Sequence, residues 1–202
     1  MADPIRLVIL LGSPRGNGNT TALAQAAAEG ALEAGALLET FWLRDMKIAP
    51  CLGCGGCNDT GECIVKDDMG RIYAAVNRAG RLIIASPIYY YGVTGWAKAA
   101  VDRFQPYWAQ TYLLKRPPSV DRERWGAFIS LGATKGRRLF EGAIASVRYC
   151  LQDAGFGYAG HLLMREIEQL GDIEKHPDHL DRARALGRTL ILDPATVGQY
   201  EA

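Results

Sequence analysis

The order of segments along the chain predicts an α/β protein: a doubly wound, five-stranded parallel sheet, order 2-1-3-4-5, with helices on both faces. Three observations carry this. Five runs of strand length recur along the 202 residues. Helix-like stretches alternate with them. Gly or Pro punctuates most of the junctions. The length suits one domain over residues 1–202, and 49% apolar residues is enough to bury a core.

Residues 5–11 (IRLVILL) form a continuous apolar run, as expected of a strand buried on both faces. An Ala-rich helix follows over 20–34, with Leu23, Ala27, Ala31 and Ala34 on one face and Gly35 as its stop. Residues 37–43 read as the second strand. Residues 47–66 are a loop rich in Cys and Gly. A helix is expected over 68–79, ended by Gly80, then a third strand over 81–86, broken by Pro87. A helix covers 95–104. Residues 105–123, with Pro117-Pro118, are expected to be irregular. A strand over 125–131, a helix over 137–154, a strand over 157–164 and a helix over 177–191 complete the chain.

A formal net charge of +1 gives no electrostatic case for nucleic acid or for an anionic membrane surface. The first apolar run is too short to span a bilayer, and no small-residue cleavage site follows it, so the expected location is the cytoplasm.

In a sheet of this order, ligands bind at the carboxyl ends of the strands, where the first and third diverge. Three unusual loops fall there. Residues 12–21 (GSPRGNGNTT) supply small residues, the donors Ser13, Asn19, Thr20 and Thr21, the charge of Arg15, and the positive end of a helix. Together they make a phosphate cradle that is neither a Walker A loop nor a dinucleotide Gly-x-Gly-x-x-Gly pattern. The plainer reading is a helix-capping turn. After the third strand come Ser86-Pro87-Ile88-Tyr89-Tyr90-Tyr91-Gly92. After the fourth come Gly132-Ala133-Thr134-Lys135-Gly136.

Cys51-x-x-Cys54-x-x-Cys57-x5-Cys63 is the most specific pattern in the chain. Thiolates favour iron–sulfur clusters or zinc. The compact triple followed by a fourth favours a [4Fe–4S] cluster over zinc, whose structural ligands come as two separated pairs. A reversible disulfide, or free thiols in a substrate loop, remain alternatives. Cys150, on an apolar helix face, reads as an inert buried thiol. His161, His176 and His179 have no ligand spacing with the cysteines.

The first loop, with Gly16-Asn17-Gly18 between Arg15 and Asn19, resembles the phosphate loop of the flavodoxin-like NADPH-dependent FMN reductase superfamily. Ser86-Pro87-Ile88-Tyr89, and the helix carrying Lys98, Asp102 and Arg103, resemble that superfamily too. The cysteine spacing resembles the iron–sulfur flavoproteins built on the same fold. Together these resemblances cover about residues 5 to 140. They imply FMN with its phosphate on Ser13, Arg15, Asn19, Thr20 and Thr21, and its ring against Pro87, Ile88, Tyr89 and Tyr90. Gly132, Ala133, Thr134 and Lys135 would close over the ring's other side, with Lys135 favouring the anionic reduced flavin. They imply Cys51, Cys54, Cys57 and Cys63 as ligands of a [4Fe–4S] cluster, and NAD(P)H as a co-substrate.

The implied activity is an FMN-dependent oxidoreductase passing electrons through FMN and the cluster between a reduced donor and a small-molecule or protein redox partner. The rivals are an NAD(P)H-dependent FMN or quinone reductase without a cluster, and a flavodoxin-type electron carrier. Trp96, Tyr107, Trp108 and Tyr112 offer aromatic surface for a homodimer or homotetramer, or else fill the core beneath 105–123.

Overall fold

A computed structural model describes residues 3–118 and 123–202. Along the chain run β1 (Arg6–Leu11), α1 (Asn19–Glu33), β2 (Leu37–Trp42), the short α2 (Cys57–Thr60), α3 (Met69–Arg78) and β3 (Arg81–Ala85). Then follow the two-residue strands β4 (Ile88–Tyr89) and β5 (Gly92–Val93), α4 (Gly95–Asp102), α5 (Gln105–Trp108), β6 (Trp125–Leu131) and α6 (Glu141–Asp153). The chain closes with β7 (Gly157–Met164), α7 (Pro177–Leu192) and β8 (Gly198–Glu201).

The main sheet is parallel, in the order β2-β1-β3-β6-β7-β8. Its first five strands are those expected from the sequence, in the expected order. The sixth, β8, is an addition. Its four residues are mostly exposed and carry no apolar alternation, so nothing in their pattern marks a strand. The second difference lies in 105–123. Gln105–Trp108 is α-helical, with Pro106 in the first turn, where a missing N–H costs nothing. Ala109–Leu113 continues as a π-turn. Residues 119–122 of that segment lie outside the described residues. Tyr107 is buried in the core, whereas Trp96 and Tyr112 are exposed.

Strand alternation sends Val8 and Leu10 to one face and Leu7, Ile9 and Leu11 to the other. The first face packs against α3, α4, α5 and α6, and the second against α1 and α7. Buried Arg124, at the amino end of β6, donates to the carbonyls of Val76, Ala79 and Ala154, tying together the ends of α3 and α6. Register matters most for the site. Leu11 pairs with both Trp42 and Ala85, and Ala85 pairs with Ile129. β1, β2 and β3 therefore end level, β6 runs two residues further, and their following loops emerge on one edge. No helix of the described residues is long and apolar enough to cross a membrane.

The helices α1 and α7 cross at two glycines. A Cβ on Gly30 would stand 1.9 Å from Arg184 O, and one on Gly187 would stand 1.8 Å from Ala27 O. Ion pairs Glu29–Arg184 and Glu33–Arg188 flank the crossing. Overpacking here must separate two backbones. Gly30→Ala or Gly187→Ala is expected to lose about 1–3 kcal/mol in denaturant unfolding. Gly70→Ala, in the open first turn of α3, is expected to be neutral or mildly stabilising. Equal stability for all three variants would refute the close crossing.

Candidate functional site

Buried hydroxyls fix the carboxyl edge of the sheet. Thr94 Oγ1 donates to Gly12 O (2.6 Å) and accepts from Ala97 N at the start of α4 (3.2 Å). Thr94 N donates to Ser86 Oγ, which in turn donates to Pro87 O. Ser130 Oγ donates to Ser86 O (2.7 Å). Ser86, Thr94 and Ser130 are fully buried. These bonds join the ends of β1, β3 and β6 into one rigid rim.

On that rim a cavity of about 230 Å³ opens between the loops. Ser13, Arg15, Asn19 and Thr20 line it from the first loop, Pro87, Ile88 and Tyr89 from the second, and Gly132 and Ala133 from the third. The helix α1 starts here with Gly18 as its N-cap, no side-chain cap and no acidic residue in its first turn. Such an end presents unsatisfied N–H groups and a positive dipole to an anion. Ser13 Oγ and Thr21 Oγ1 both donate to Arg15 O, so these two hydroxyls shape the loop. The Arg15 side chain is exposed at its edge.

Four candidates from the sequence stand apart from the cavity lining. Thr21 is buried behind the loop. Thr134 and Lys135 lie beyond it, and Lys135 pairs with Glu166 on the exposed side (3.1 Å). Tyr90 projects wholly into solvent. It forms, with Tyr91, the two-residue loop of the β4–β5 hairpin, and both have positive φ (48° and 61°). Gly and Asn usually occupy such positions; here the strain is about 1–3 kcal/mol per residue.

A fourth wall had no signal in the sequence. Ile167 and Glu168, after β7, also line the cavity. Asn19 holds their segment in place. Its Nδ2 donates to Gln169 O (2.7 Å), and its Oδ1 accepts from Gly171 N and Ile173 N. The amide of Asn19 is therefore engaged in positioning the wall.

The cysteine loop is closed at its base by one buried ion pair. Arg103, 1% exposed, binds Asp67 through two bonds (2.8 and 3.1 Å) and donates to Ala49 O and Val65 O. Asp67 also accepts from Ala49 N and Met69 N. Asp102, its neighbour, pairs instead with Lys98. Burial raises the Asp67 pKa, but the bonds from Arg103, Ala49 and Met69 outweigh it and hold the carboxyl below its usual range.

Cys51, Cys54, Cys57 and Cys63 line one cavity of about 290 Å³, with Arg103 in its wall and no carboxylate among its lining residues. All four are free thiols. Burial pushes the Cys57 thiol pKa up; a bond to its own backbone N–H opposes this, and the charges of Cys63, Cys51 and Cys54 add to it. An all-sulfur donor set beside a guanidinium fits a thiolate-bound centre in chemistry. As the side chains are disposed, no three His, Cys, Asp or Glu of the described residues stand where they could share a metal ion. Cys150 is buried, and its thiol pKa is raised by that burial. A larger cavity, about 410 Å³, opens beyond Cys63 toward Tyr73 and Gln110. Tyr73 and Gln110 are already paired there, with Arg103 O and Gly61 O.

Comparison with known proteins gives a consistent picture. The sequence profile of a family described as NADPH-dependent FMN reductase matches residues 5–144. An iron-sulfur flavoprotein of Archaeoglobus fulgidus is 38% identical over 103 residues, 51% of this chain and 47% of that one. An iron-sulfur flavoprotein of Methanosarcina thermophila is 31% identical over 131 residues, 65% of each chain. The chain thus spans about half to two thirds of the length of the curated relatives it matches. Among solved structures, an NAD(P)H:quinone oxidoreductase from Methanothermobacter marburgensis superposes with a TM-score of 0.72 at 19% identity, over 93% of this chain and 96% of that one. That likeness concerns the fold.

Asp67→Asn is expected to cost about 3 kcal/mol, the lower end for breaking a buried pair, because Ala49 O and Val65 O still accept from the guanidinium. The sign of the pH effect follows from the lowered pKa. The stability Asp67 supplies is present above about pH 4 and is lost as pH falls through its depressed folded value. Unfolding curves from pH 2 to 7 should therefore be shallower on the acid side for Asp67→Asn. Superimposable curves would sink the clamp.

Proposed function

The chain belongs to the NADPH-dependent FMN reductase family, and from that premise we propose that it is an FMN-dependent oxidoreductase acting in the cytoplasm. One observation carries the reading: three strand-end loops meet around a cavity bordered by an uncapped helix N-terminus, whose positive dipole suits an anion. The residues suit FMN. The phosphate would lie against the first turn of α1 and the loop shaped by Ser13 and Thr21, with Arg15 beside it. The ring would lie between Pro87, Ile88 and Tyr89 on one side and Gly132 and Ala133 on the other. Bound FMN supplies the capacity to take a hydride from NAD(P)H and to release electrons singly. The protein's own part is to hold and orient. The hydroxyl-bonded rim keeps the loops at fixed spacing, and Asn19 holds the wall that borders the cavity.

Cys51, Cys54, Cys57 and Cys63 would hold a [4Fe–4S] cluster that exchanges single electrons with a partner. The shared cavity of the four thiols and the names of the relatives support this. A second reading keeps the cysteines as free thiols in a simple NAD(P)H-dependent FMN or quinone reductase; the description of the matching family favours it. In either case exposed aromatics such as Trp96 and Tyr112 would serve a homodimer or homotetramer.

An anaerobic absorption spectrum, taken before and after NADPH and then dithionite, tests both. The cluster reading expects flavin bands bleached by NADPH over a broad shoulder bleached by dithionite, with the shoulder alone lost in Cys51→Ala. Flavin bands without a shoulder leave the simple reductase. No flavin after addition of FMN removes both. Arg15→Glu is expected to raise the FMN dissociation constant about tenfold at low salt, and less at high salt, since an exposed charge is screened. A salt-independent effect, or none, would place the phosphate elsewhere.

A further inference from the structure

We propose that the Nε–H of Arg103 is a hydrogen-bond donor to the Cys63 sulfur of a thiolate-bound centre, and that Arg103 thereby raises the reduction potential of that centre. The inference rests on the cluster reading above and deepens it, giving a role in that site to a residue outside the four ligands.

The argument begins with the donors of one side chain. A guanidinium carries five N–H bonds in one plane. Four of those of Arg103 have partners. Nη1 donates to Ala49 O and Asp67 Oδ2, and Nη2 donates to Val65 O and Asp67 Oδ1. The fifth, on Nε, is buried and has no partner among the described residues. A buried donor without an acceptor is costly, and native proteins rarely leave one so. The backbone of Arg103 is fixed as well, since the Tyr73 hydroxyl donates to its carbonyl.

The plane shows which way the free donor faces. Asp67 takes the end of the fork, with one bond from each Nη. The second N–H of Nη1 turns to Ala49 O, and that of Nη2 turns to Val65 O. Nε–H leaves the plane's edge on the same side as this second N–H of Nη2. Ala49 stands two residues before Cys51, and Val65 two residues after Cys63. The free donor therefore faces the Cys63 end of the loop. Arg103, Val65 and Cys63 line one cavity with the other three thiols. No carboxylate is among its lining residues, so a thiolate sulfur is the one anionic acceptor that they offer. Burial pulls the Arg103 pKa down, but the bond to Asp67 and the charges of Tyr73 and Cys63 more than offset it. Cys63 thus stands within electrostatic reach of the guanidinium. Reduction of a thiolate-bound centre adds negative charge to its sulfurs, so a charged donor beside one of them favours the reduced state.

The test uses protein reconstituted without oxygen with FMN, iron and sulfide, and carrying ¹⁵N-labelled arginine. Arg103 is the only arginine among the described residues that line the thiol cavity. Pulsed EPR of the cluster, after it takes one electron from dithionite, should therefore show coupling to arginine ¹⁵N in the wild type. Arg103→Lys keeps the charge and loses the planar fork. Its cluster midpoint potential is expected to fall by the equivalent of about tenfold in the ratio of reduced to oxidised centre, about 59 mV for one electron. Thermal unfolding measures separately what the clamp loses. If Arg103→Lys does not fold or hold iron, the wild-type coupling decides alone. A cluster without ¹⁵N coupling overturns the proposal, as does an unchanged midpoint in a folded, cluster-bearing Arg103→Lys. A reconstituted wild type with no broad absorption shoulder overturns the cluster reading, and the proposal falls with it. The shoulder thus tells failure of that reading from failure at Arg103.

Discussion

The buried hydroxyls of Ser86, Thr94 and Ser130 bind the carboxyl edge of the sheet into a single rim. Two of them join segments far apart in the chain: Thr94 reaches Gly12 across 82 residues, and Ser130 reaches Ser86 across 44. A buried carbonyl left without its donor costs about 1–3 kcal/mol, so the rim is held by the penalty for opening it as much as by the bonds themselves. The parallel register brings the three loops to one edge, and the hydroxyls keep them there. The cavity, the uncapped start of α1 and the strained tyrosine turn all depend on that fixed spacing.

Helix α1 serves both layers of this design. Its middle lies against α7 at the Gly30–Gly187 crossing. Its amino end faces the cavity, where Asn19 holds the segment after β7. The packing that gives the helix its place in the fold therefore also aims its dipole. The absence of a side-chain cap weakens the helix slightly and leaves its first N–H groups open to a ligand.

The cysteine loop is organised on a different principle. Residues 50–65 contribute little buried apolar surface, and their ends are gathered by charge through Arg103 and Asp67. The same clamp sets Arg103 in the wall of the thiol cavity, where it places a positive charge beside the four sulfurs.

Much of this was legible in the sequence. The apolar runs encode five strands through their length and bounding turns, and the alternation with helices encodes a parallel sheet in the observed order of those five. Gly18 and the small, donor-rich residues around it mark the wall of the cavity at the start of α1, because close backbone approach needs small side chains. The four cysteines announce themselves by spacing. What the pattern could not carry is the direction of loop side chains and the pairing of distant groups. Lys135 turns to Glu166, Tyr90 turns to solvent, Asn19 is drawn to residues 169–173, and Asp67 finds Arg103 across 36 positions. The polar strand β8 pairs with the open edge of β7, and Arg165 and Arg182 hold it there through Glu201 and Tyr200. Period and turn chemistry are local properties that a sequence states directly. Which face a loop residue presents, and which remote partner it meets, is decided when whole elements pack.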